Sequence, residues 1–64
     1  MPDMPWIRWE HDPDVHYQKD ADGDIRIEVT GLEGGPRVSG FMRPMGGMLD
    51  ATIRQHLREM GLIK

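Results

Sequence analysis

The groups able to do acid–base or ligand chemistry in this chain are eleven Asp and Glu side chains and three histidines, His11, His16 and His56. Cysteine is absent and Ser39 is the sole serine, outside any Gly-x-Ser-x-Gly setting. Nucleophilic catalysis therefore lacks an evident agent, and thiolate metal sites are excluded. Imidazole is a common metal ligand. However, His11 and His16 stand five residues apart across a proline turn, which is no standard ligand spacing. His56 falls at the edge of a helical apolar stripe, where a histidine ordinarily reaches solvent. No metal and no cofactor are expected. Residues 18–25, Gln18-Lys19-Asp20-Ala21-Asp22-Gly23-Asp24-Ile25, have calcium-loop character, with Asp20 and Asp22 at its third and fifth positions. The first position is then Gln18 and the twelfth Val29, where such a loop needs Asp and a bidentate Glu. An Asp-Gly hairpin turn is the expectation instead.

The acids are more informative for where they gather than for any pair they form. Residues 1–33 carry nine acids and three bases, a net −6, while residues 34–64 carry two acids and five bases, a net +3. That asymmetry bears on partners rather than on fold. A chain of net charge −3 is a poor general ligand for nucleic acid, whose affinity comes from basic contacts to phosphate. Glu10, Asp12 and Asp14 line one expected turn, and Asp20, Asp22 and Asp24 the next. Across the intervening Val15–Lys19 strand the two clusters stand about 15–20 Å apart, at ~3.3 Å per residue. Two anionic clusters at a fixed separation imitate phosphates and suit a basic groove on a protein partner. Trp6, facing away from Trp9, is a candidate interface anchor. Met45, between Met42 and Met48 on a Gly- and Pro-rich segment, offers an adaptable contact. The candidate binding residues are therefore Trp6, Asp12, Asp14, Asp20, Asp22, Asp24 and Met45, with no catalytic residue assigned.

Positioning these side chains falls to a few short elements. Met1–Pro5, with two prolines, reads as an irregular arm. Strands are expected near 6–10, 14–19, 24–30 and 37–42. The clearest is Asp24–Thr30, where Ile25, Ile27 and Val29 share one face and Arg26 and Glu28 the other. His11-Asp12-Pro13-Asp14 reads as a turn. The fourth strand is weaker, because Val38 and Phe41 fall on opposite faces unless a bulge at Gly40 intervenes. Leu49, Ile53, Leu57 and Met60 form one stripe and predict a helix over 48–60. Asp50 in its first turn opposes the dipole, and Gly61 stops it. The order predicts an α+β fold: one domain over 1–64, a small antiparallel meander of three to four strands with the C-terminal helix on one face.

A 64-residue chain buries only about 60% of its unfolded surface, so its core is small. Such domains commonly rely on disulfides, metals or oligomerisation, and without cysteine a homodimer is a natural option. No signal peptide and no membrane span are expected, which places the chain by default in the cytoplasm. A water-excluded catalytic pocket is hard to enclose at this size.

Over about half its length the chain resembles HicA-type mRNA interferase toxins. The resemblance is carried by Asp14-Val15-His16-Tyr17-Gln18-Lys19, Asp22-Gly23, Ile25-Arg26-Ile27-Glu28-Val29, and Gly47-Met48-Leu49 through Arg58-Glu59-Met60-Gly61-Leu62. It implies an RNA-cleaving protein of double-stranded-RNA-binding-like fold in which His16 is catalytic. The family's Gly-Ser before the histidine is here Asp14-Val15, its N-terminal helix has no counterpart, and the last helix is about a turn longer. In size and character the chain is also similar to phage-encoded inhibitors such as anti-CRISPR proteins. The leading expectation is a non-enzymatic protein-binding module that occludes a basic groove sterically or by charge mimicry. The alternatives are a ribonuclease using His16 and a self-associating assembly protein.

Overall fold

A computed structural model describes residues 5–44, 46 and 48–63. Met45 and the first four residues of the expected arm lie outside the described residues. Four strands, β1 (Ile7–Trp9), β2 (Asp12–Lys19), β3 (Ile25–Val29) and β4 (Arg37–Val38), precede one helix, α1 (Leu49–Glu59). The strands pair in sequence order as an antiparallel sheet. The α+β meander with a helix on one face is therefore the architecture.

Period-two alternation decides which residues face the helix. Val15 pairs with Val29, Tyr17 with Ile27 and Lys19 with Ile25 across β2 and β3. The buried core is Trp9, Val15, Ile25, Ile27 and Val29 from the sheet and Ile53 and Leu57 from α1, with Tyr17, Leu49, Met60 and Leu62 around it. Fully burying a side chain such as Ile27 or Ile53 is worth about 1.5–3 kcal/mol. These two positions therefore hold helix and sheet together.

The helix begins at Met48 without a side-chain cap on its N-terminus. Instead, the Met48 carbonyl accepts from both the amide and the hydroxyl of Thr52, at 3.1 and 2.8 Å. Its end follows the predicted stop. Gly61 adopts φ +76°, its amide donates to Arg58 O, and the amide of Leu62 donates to Leu57 O at 2.9 Å. That paired pattern is the Schellman closure, and it folds Leu62 back onto the core.

Two irregularities shape the sheet. Arg8 pairs with His16 but Trp9 with Asp12, so one step along β1 is matched by four along β2. The tight turn is Glu10-His11, and Asp12, Pro13 and Asp14 lie within β2 rather than in the turn expected for them. A bulge accommodates Pro13, which has no N–H to give a ladder. On the other side of β2 the carbonyl of Asp14 still accepts from the Thr30 amide at 2.9 Å.

The second irregularity is the expected bulge at Gly40. Ser39 meets Ile27, and Met42 meets Ile25 through a pair of backbone hydrogen bonds. Three steps on one strand therefore match two on the other. The Ser39 hydroxyl takes the place of a backbone acceptor for the Ile27 amide, at 3.0 Å. The extra residue brings Phe41 to the same outward face as Val38, which pairs with Glu28. The ladder of β4 itself covers only Arg37–Val38, shorter than the strand expected over 37–42.

Candidate functional site

The acidic residues occupy the two ends of β2, and their local chemistry differs. At the β2–β3 turn, Gly23 adopts φ +87° and its amide closes the turn on Asp20 O at 3.0 Å. One carboxylate oxygen of Asp20 accepts from the amides of Asp22 and Asp24, at 2.9 and 2.8 Å. Asp and Asn bind their own following backbone in this way, which is why they mark turns. Asp24 is half-buried. Its Oδ1 accepts no hydrogen bond among the described residues and stands 3.9 Å from Arg43 Nε. The carboxylate of Asp22 is exposed and unpaired among the described residues.

At the other end, Asp12 Oδ1 accepts from the Asp14 amide at 2.9 Å. Asp14 is exposed, and its carboxylate makes no hydrogen bond or ion pair among the described residues. The adjoining turn is tied to the helix. Trp9, buried in the core, donates its indole N–H to Asp50 Oδ1 at 2.9 Å. His11 Nε2 lies 3.3 Å from Asp50 Oδ2 and 3.5 Å from Glu10 Oε1. The His11 ring packs edge-on against Trp9, at 5.0 Å between centroids. The Trp9 hydrogen bond holds the Asp50 carboxyl below the usual carboxylate range; desolvation opposes it, and His11 and Arg54 add lesser lowering contributions. These partners lie 39 and 41 residues apart in the chain, so no local pattern announces them.

The sheet face turned away from α1 carries the other candidate residues. Arg26 lies between two rings, 5.2 Å from the centroid of Trp6 and 4.8 Å from that of Phe41. Its Nε donates to Gln18 Oε1 at 2.7 Å, and Gln18 is only 5% exposed although it faces outward. Trp6 is thus half-buried on Arg26 and keeps part of its ring in solvent. Phe41 and the half-exposed Val38 extend the apolar surface beside it. The partial positive edge and negative face of aromatic rings make such a stack favourable by roughly 0.5–2 kcal/mol per ring.

His16, the residue implied by the toxin resemblance, sits between its cross-strand neighbours Arg8 on β1 and Glu28 on β3. Its Nδ1 is buried without a hydrogen-bond partner among the described residues. His56 is a correction to the sequence analysis: it is 1% exposed rather than reaching solvent. Nδ1 lies 2.8 Å from Thr52 O and Nε2 3.0 Å from Ile25 O. A proton on Nε2 is donated to Ile25 O and stitches α1 to the end of β3, whereas one on Nδ1 is donated to Thr52 O within the helix. An apolar hollow of about 330 Å³, lined by Ile7, Tyr17, Lys19, Ile25, Pro44 and Leu49, opens at the sheet edge and offers one ammonium group.

Of the sequence-derived binding residues, Asp12 and Asp14 gather at one end of β2 and Asp20, Asp22 and Asp24 at the other. Trp6 lies on the outward sheet face, and Met45 is outside the described residues. No protein-family model, curated protein or solved structure matches the chain.

Proposed function

We propose that the chain is a non-enzymatic protein-binding module that occupies a basic groove of its partner with the acidic ends of β2. The observation that carries this reading is the locking of both ends. Asp12 and Asp20 each commit a carboxylate oxygen to backbone amides, which fixes the backbone that carries the exposed side chains of Asp14 and Asp22. A turn whose backbone is already ordered loses less freedom on binding, which is the advantage of a preorganised contact. Between the two ends lies an outward sheet face with Trp6 and Phe41, residue types that anchor interfaces. Occlusion of a partner's groove, in the manner of a small inhibitor, is the mode of action that follows. β1 and β4 are edges of three and two residues, which discourages pairing of sheets between copies.

The test is affinity capture from source-cell extract with the wild-type chain and with Asp14→Lys/Asp22→Lys, both after nuclease treatment. Support is one stoichiometric protein retained by the wild type, released by salt and lost with the double variant. Equal retention by the variant overturns the acidic contact.

One observation favours a second reading. Arg8, His16 and Glu28 form a row across three strands, a combination able to hold a phosphodiester and move a proton. On that reading the chain cleaves RNA and His16→Ala abolishes cleavage. Intact RNA after incubation with wild-type protein removes it.

A further inference from the structure

We propose that Glu10, His11 and Asp50 form a binding site for a divalent transition-metal ion of the zinc class. The three side chains present one ligand atom each, all within 4.8 Å of one another. His11 Nε2 is 3.3 Å from Asp50 Oδ2 and 3.5 Å from Glu10 Oε1. In a tetrahedral zinc site with bonds of about 2.0–2.1 Å, neighbouring ligand atoms stand roughly 3.3–3.4 Å apart. Two of the three ligand separations therefore match the edges of such a site, and the third lies within 4.8 Å.

The surroundings orient the ligands as a metal centre requires. Asp50 Oδ1 is occupied by the Trp9 indole N–H at 2.9 Å, which turns Oδ2 toward His11. Trp9 is itself buried in the core, so this supporting donor is rigid. The His11 ring is set edge-on against the same indole, 5.0 Å away at 73°. Such partners outside the ligand set commonly fix ligand orientation and affinity. Two carboxylates balance the charge of a dication, and the imidazole selects zinc-class ions over magnesium or calcium. Arg54, stacked on Trp9 at 5.4 Å, is the positive charge that opposes the ion. Water completes the coordination on the exposed side. A bound ion would link the β1–β2 turn to the first turn of α1, a staple of the kind that small domains lacking disulfides use.

The test titrates the chelator-treated full chain with zinc chloride, read by calorimetry and by the melting temperature. The expected result is one equivalent of zinc bound, with a melting temperature that rises with zinc concentration because the ion binds only the folded chain. His11→Ala lowers the affinity by at least about tenfold, and the near-isosteric Glu10→Gln weakens it, while His16→Ala leaves it unchanged. Both Glu10 and His11 are exposed, so these variants still fold, and the zinc-free melting temperature of each is the baseline for its own zinc-dependent rise. No binding at millimolar zinc, or equal binding by wild type and His11→Ala, overturns the site. Neither outcome bears on the protein-binding reading, which rests on Asp14 and Asp22.

Discussion

The two acidic ends of β2 use the same residue type in opposite ways. At the Asp20 end the turn itself is held locally, by one carboxylate oxygen, two amides within four residues and a glycine with positive φ, and the ion pair of Asp24 with Arg43 is loose at 3.9 Å. At the Glu10 end the turn is anchored by the distant Asp50 through Trp9 and His11. One end is a self-contained turn that any hairpin could carry, and the other is a joint between sheet and helix. Acidic residues grouped in sequence thus divide into those that shape backbone, those that link elements, and those whose charge stays exposed and unpaired among the described residues.

The comparison breaks hardest at Trp9. Trp9→Ala should cost about 3–5 kcal/mol, the range for emptying a buried aromatic site, and denaturant melts followed by circular dichroism measure it. A loss near zero would mean that the Glu10 end is not joined to the core. Next comes Asp20→Ala, which removes the acceptor of two turn amides, one exposed and one part-buried, and should cost about 0.5–1.5 kcal/mol, with Asp20→Asn recovering part. Equal stability of Asp20→Ala and wild type would show the turn to be held by Gly23 alone.

Asp50→Asn is smaller and is best read through pH. Because the folded protein holds the Asp50 carboxyl below its ordinary range, its contribution is fully present above that range. The contribution is lost as pH falls through the lowered value. Wild-type stability should therefore decline on acidification from about pH 4 more steeply than that of Asp50→Asn. Parallel acid profiles would contradict the joint. The least effect on stability belongs to Asp14→Lys and Asp22→Lys. Each should stay within about 0.5 kcal/mol of wild type, since neither carboxylate is engaged within the described residues.

Much of this was legible in the sequence because it is local. Ile25, Ile27 and Val29 alternate, Leu49, Ile53 and Leu57 recur at helical spacing, and Gly61 ends the helix as its position requires. The bulge at Gly40 was legible from a conflict of faces, since Val38 and Phe41 meet on one side only if a residue is inserted. Asp12-Pro13-Asp14 misled because turn residues also suit a bulge, and the ladder resumes around them. His56 misled for a different reason. A helical wheel gives its angle, yet what the ring meets is Ile25 O, on a strand 31 residues away. The Trp9–Asp50 bond and the Arg26 stack share that property: they exist only once strands and helix are assembled.

The most direct measurement is the dissociation constant of the captured partner for wild type and for Asp14→Lys/Asp22→Lys, each at low and high salt. If the exposed charges at the ends of β2 make the contact, the double variant binds at least about tenfold more weakly, loses most of the salt dependence, and melts with the wild type. Unchanged affinity in a variant that folds normally would contradict the acidic contact.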